Sequence, residues 1–147
     1  MKRWLGAALV LAALGTGAAL VLAWLESPPS GPVEPVWDRQ ACAYCSMHLG
    51  ERGFAAQLQT DDGEVLFFDD PGCLLLWRSE HPDRQGAAYF HAHDAELWLP
   101  ESGTGFVRVE ISPMGWGFAA VEAGTPGATS VAEVEASLFN GASRAPR

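Results

Sequence analysis

Beyond its second residue the chain has no lysine. Of 147 residues, nine are basic and 18 acidic, and two of the basic ones, Lys2 and Arg3, precede the first apolar run. From Glu26 onward 18 acids face seven arginines, a formal balance of −11. Such a surface repels phosphate backbones and anionic headgroups, so no nucleic-acid partner is expected, whereas cations or a basic partner remain compatible. The sequence also lacks internal repeats and any low-complexity tract beyond one Pro-rich stretch. No cysteine lies near the end of the apolar run, which argues against lipoprotein processing.

The apolar run spans Leu5 to Leu25 without a charge. At about 1.5 Å rise per residue it covers the ~30 Å hydrocarbon core of a bilayer. Lys2 and Arg3 before it place the remaining chain outside the cytoplasm. A cleaved signal peptide is the competing reading; its apolar region is usually ~7–15 residues long and ends in a small-x-small site. Here the run is longer and closes on Ala23-Trp24-Leu25-Glu26, a poor site, with Trp24 suited to the headgroup interface. The expectation is a retained single-pass anchor over residues 1–26, with the domain facing the periplasm or the cell exterior.

Ser27 to Val36 carries four prolines, a semi-rigid extended linker. The folded domain is expected over residues 37–140 and a frayed tail over 141–147. Phe54 to Gln59 and Glu64 to Phe68, joined by Asp61-Asp62-Gly63, read as a hairpin. Asp70-Pro71 opens a helix as cap and first residue, and His81-Pro82 ends it. Further strands are expected at Ala87–His93, Glu96–Leu99, Gly105–Ile111 and Gly117–Glu122. Thr129-Ser130 with Glu133 resembles a capping box for a closing helix through Phe139. Hairpin-like strand groups with segregated helices argue an α+β fold.

Few residues carry chemistry. Cys42-Ala-Tyr-Cys45 is a CxxC followed directly by Met47 and His48; Cys73 opens the middle helix; His91 and His93 sit at one strand end; Met114 lies in Ser112-Pro113-Met114-Gly115. Thiolate, thioether and imidazole together favour Cu(I), since thioether does little for Zn(II). Each member has a plainer reading. Outside the cytoplasm a CxxC is often a disulfide. Cys73 beside Leu74 to Trp77 reads as a buried helix residue, and methionines commonly fill cores. His91 and His93, one residue apart, face the same way on a strand. A structural zinc site needs a second ligand pair, which Cys73 and one histidine could supply. A thioredoxin-type motif would open a helix after a strand, whereas this CxxC follows a linker. Asp69-Asp70 is explained by a turn and a helix cap, so no acid–base catalysis is expected.

The run Cys42-Ala-Tyr-Cys45-Ser-Met47, then Phe54-Ala-Ala-Gln57, Phe68-Asp69-Asp70-Pro71-Gly72-Cys73 and Trp77, His93-Asp94, Glu96-Leu-Trp98 and Ser112-Pro113-Met114-Gly115 resembles the NosL family. These are copper accessory proteins for nitrous-oxide reductase, and the resemblance covers roughly Cys42 to Ala123. It implies a small mixed sheet of two ββα-like halves, treble-clef-like in shape. It also implies a non-enzymatic metallochaperone that binds one Cu(I) outside the cytoplasm and delivers it towards the reductase's copper centre. The family's motifs carry over to Cys42, Cys45, Met47 and Met114 as ligands, with His48 and His93 as further candidates. Two features depart from the family: Ser46 stands where Gly is usual and would be strained at φ > 0, and many members are lipoproteins. Transfer by ligand exchange suits a low-coordinate thiolate–thioether site. The alternatives are a membrane-anchored CxxC thiol oxidoreductase, a zinc-stabilised interaction module, and a copper-buffering or sensor domain without a dedicated client.

Overall fold

The computed structural model of the chain describes residues 14–22 and 29–140. Residues 14–22 are helical and exposed (α1). The remainder of the expected anchor, and the 141–147 tail, lie outside the described residues. Among the described residues no helix is long and apolar enough to cross a membrane.

The domain is α+β. Its order is β1 (Ala56–Thr60), β2 (Val65–Phe68), α2 (Pro71–Glu80), β3 (Gly86–His91), β4 (Trp98–Pro100), β5 (Thr104–Arg108), β6 (Phe118–Glu122) and α3 (Val131–Phe139). Phe54, expected to begin the first strand, instead ends a short 3-10 turn at Arg52–Phe54. The strands form two sheets, β2-β1-β3-β4 and β5-β6, antiparallel at every pairing. The mixed sheet expected from the family resemblance is therefore corrected to two antiparallel ones. The reason lies in α2, which returns the chain so that β3 enters on the far side of β1 and runs opposite to it. Two strand–strand–helix units are present, β1-β2-α2 and β5-β6-α3, with β3 and β4 added to the first sheet.

On one face of the first sheet Ala56 lies between Phe68 and Phe90, and Leu58 between Leu66 and Ala88. This face packs with Leu74, Leu75 and Trp77 of α2, and with Phe106, Val134 and Leu138 of the second unit. Phe90 and Phe106 meet edge to face at 5.1 Å, joining the two sheets. Arg78 ties the helices, bonding Glu101 through both guanidinium nitrogens and Glu135 of α3.

All five residues of β1 are buried, which explains its weak alternation. Gln57 and Gln59 face away from the core, yet the segment before the domain covers them. Val33 N donates to Gln57 Oε1 at 2.9 Å, Gln57 Nε2 donates to Val33 O at 3.0 Å, and Gln59 Nε2 donates to Gly31 O at 2.6 Å. The Pro-rich stretch is thus extended and strapped onto the sheet from Gly31. Its prolines leave main-chain carbonyls without competing local partners, and two primary amides fill that role.

Candidate metal centre

The CxxC folds as a knuckle. Ala41 and His48 bridge as antiparallel neighbours, Cys42 N donates to Met47 O at 2.8 Å, and Ser46 N donates to Cys42 O at 3.0 Å. Closing so tight a loop takes a left-handed residue, and Ser46 supplies it at φ 63°. The strain anticipated at this position is present. Ala43 N bonds Phe67 O, pinning the knuckle to the end of β2.

The chain after β2 brings the third sulfur. Asp70 caps α2 by accepting from Gly72 N at 2.9 Å, with Pro71 in the first helical position. Cys73, in the first turn, therefore points from the helix start into the space beneath the knuckle. The sulfurs of Cys42, Cys45 and Cys73 all lie within 4.8 Å of one another. All three are free thiols, not a disulfide. The sequence reading put Cys73 in the core, and it is fully buried, but its sulfur also belongs to the cluster. The signal that could have revealed this is the cap itself: a Cys three residues after an N-cap faces the helix mouth, where anions are stabilised.

Hydrogen bonding within the cluster favours the thiolate form at Cys42. Cys73 donates a hydrogen bond to Cys42, and the backbone N–H groups of Cys45, Asp69 and Tyr44 add to it, lowering the Cys42 thiol to about 5 against the opposing effect of burial. The donation raises Cys73, with burial in the same direction, so Cys73 stays protonated. Burial raises Cys45, opposed by the Met47 N–H. An ion at the centre of a triangle with edges below 4.8 Å lies within about 2.8 Å of each sulfur, so slight contraction reaches thiolate bonding distances of ~2.3 Å. Binding would displace the Cys45 and Cys73 protons. Cys42 and Cys73 are buried and Cys45 is half-buried, so the accessible edge of the triangle is Cys45.

No protein-family model, curated protein or solved structure matches this chain. What the centre does follows from its own atoms.

The other expected ligands are placed less evenly. Met47 is 47 % exposed, directly after the knuckle. Met114 packs partly buried against the core, as the plainer reading of a methionine has it. Its backbone N donates to Asp70 Oδ2 at 3.2 Å, so its turn docks on the mouth of the helix that carries Cys73. Ser112 also donates to Asp70, and burial raises that carboxyl to about 6 despite these bonds. The docking is close: a Cβ on Gly72 would fall 2.5 Å from Cγ of Trp116. Asp69 accepts from Gly50 N at 3.3 Å. Both aspartates thus hold loops, as the turn-and-cap reading expected.

His48 is exposed on the knuckle's outer strand. His93 is exposed with its ring against Phe54 at 4.9 Å. His91 and His93 were expected on one strand, but β3 ends at His91 and His93 lies beyond it, though both line one open pocket. His91 is buried while His93 is exposed. Among the described residues, no imidazole or carboxylate ligand atom joins the three sulfurs at their mutual spacing.

Proposed function

We propose that this domain is an extracytoplasmic Cu(I) carrier that hands its ion on by ligand exchange. The observation that carries the reading is the triangle of Cys42, Cys45 and Cys73, with one edge at the surface. Three sulfurs, joined among the described residues by no imidazole or carboxylate ligand atom, suit a soft ion that tolerates low coordination. A structural zinc site would close a tetrahedron with a fourth ligand, and none stands with the sulfurs among the described residues.

Cu(I) is the cargo here. Cys42 and Cys73 form the buried floor, and Cys45 is the sulfur an acceptor's ligand reaches first. Met47, beside Cys45, and Met114, whose turn sits on the α2 mouth, are the thioethers available to shuttle the ion through a weakly held intermediate. The NosL resemblance supplies the recipient, nitrous-oxide reductase or its maturation complex, and the apolar run supplies a membrane tether through residues 5–25. The low Cys42 pKa also suits thiol–disulfide exchange, but that residue is 2 % exposed and the accessible Cys45 is raised, the opposite of an attacking thiol.

The test is anaerobic competition of the full reduced chain with a Cu(I)-specific chelator, run beside a zinc indicator. One Cu(I) per chain, held more tightly than Zn(II), is the expected result. Zinc binding of equal or greater strength overturns the reading in favour of a zinc-stabilised module.

A further inference from the structure

His91 is used by nothing described so far, although its side chain is only 4 % exposed. The sheet explains how it is held. His91 pairs with Trp98 across β3 and β4, and the imidazole sits edge-on to the Trp98 indole at 5.1 Å and to the Trp37 indole at 6.4 Å. Those indoles are fixed in turn: Trp98 Nε1 and Trp37 Nε1 donate to the two oxygens of Glu34, at 2.9 and 3.2 Å. Arg52 covers the Trp37 ring at 4.6 Å. The imidazole therefore has one orientation.

Among the described residues that orientation leaves one ring nitrogen without a hydrogen-bond partner. Nδ1 lies 3.0 Å from Ala92 O, and a carbonyl can only accept, so Nδ1 carries the proton. In the neutral ring Nε2 is then a lone pair, aimed at Glu96. The Nε2–Oε2 separation is 3.9 Å, too long for a hydrogen bond. Two ligand atoms bound side by side at 2.0–2.2 Å from one ion stand roughly 3.0–3.5 Å apart. Glu96, 79 % exposed, can close that difference by a small rotation. Both residues line an open pocket of about 310 Å³, together with Gly53, His93 and Asp94.

We infer that His91 Nε2 and Glu96 form a second metal site, distinct from the sulfur triangle and suited to a borderline divalent cation such as Zn(II). A proton-carrying Nδ1 fixed by a backbone carbonyl is how metal-binding imidazoles are commonly oriented. Imidazole and carboxylate select Zn(II) over Cu(I), so the two centres sort ions by softness. Water can supply the remaining positions. A bound ion would pin the loop between β3 and β4, which is closed by the Ala92 N to Leu97 O bond.

The test reads the imidazole itself, so it is independent of what the thiols hold. The full ¹⁵N-labelled chain is loaded with one equivalent of Cu(I) under argon, then titrated with Zn(II), following the side-chain nitrogens of the four histidines. The expected result is a ligation shift of His91 Nε2 at about one added equivalent. Glu96→Gln, an exposed and nearly isosteric change, should weaken that binding tenfold or more while leaving Cu(I) binding unchanged. Three results overturn the site: no movement of His91 Nε2, shifts confined to exposed His48, or undiminished zinc affinity in Glu96→Gln. An imidazolium–carboxylate pair without metal would give the first of these.

Discussion

Two helices of this domain begin on side-chain caps, Asp70 for α2 and Ser130 for α3. The α3 cap closes on itself: Ser130 accepts from Glu133 N, and Glu133 reaches back to Ser130 N, all in solvent. The α2 cap is fully buried and serves residues far away in sequence, accepting from Met114 N as well as Gly72 N. One cap only starts a helix. The other also assembles a site, because it fixes the residue that presents Cys73 and holds the turn that carries Met114. The same local rule thus yields either a terminus or part of a candidate metal centre, according to what packs over the cap.

The comparison is broken most directly at Asp70. Asp70→Ala removes a cap and strands two inward-facing N–H groups, so unfolding free energy should fall by about 3 kcal/mol. Urea denaturation of the metal-free chain measures this, and a loss no greater than for a solvent-exposed cap would show that burial adds nothing. Cys73→Ser tests the sulfur that the α2 cap positions. Cu(I) affinity should drop at least a hundredfold, about 2.7 kcal/mol, in chelator competition. If only stability falls, Cys73 is core and the site is the knuckle alone. Met114→Leu keeps volume and apolar character while deleting the thioether. Cu(I) binding should weaken about tenfold, about 1.4 kcal/mol, with the thermal midpoint of the metal-free protein nearly unchanged. Ser130→Ala completes the series at the other helix: roughly 1 kcal/mol of stability lost and Cu(I) affinity intact. A change in copper binding there would mean that the α3 cap, too, feeds the centre.

Local signals were legible where the physics is local. Asp70-Pro71 and Ser130 with Glu133 gave both helix starts, and each of the six strands lies where an alternating or apolar run suggested one, with ends shifted by a few residues. The centre was half legible: Cys42 and Cys45 announce themselves by spacing, whereas Cys73 looks like any apolar helix residue until β2 delivers the helix mouth beneath the knuckle. Burial and ligation are not alternatives for a thiol, and a sequence window carries no information about which sulfur sits below. The histidines were half legible for a related reason. Strand alternation places His91 and His93 together only if the strand continues, and the turn after His91 ends that logic. Gln57 and Gln59 broke the alternation of β1 because the strap, not water, covers their face.

That strap has a mechanical consequence. A pull on the chain at Gly31 does not load the knuckle directly; it is borne by the amides of Gln57 and Gln59 on β1, inside the sheet. Those side-chain bonds lie in series along an extended segment, so force peels them one after another instead of shearing them together. The strap is therefore the compliant element. Under tension it would pay out several residues of extended chain before any strand gives way.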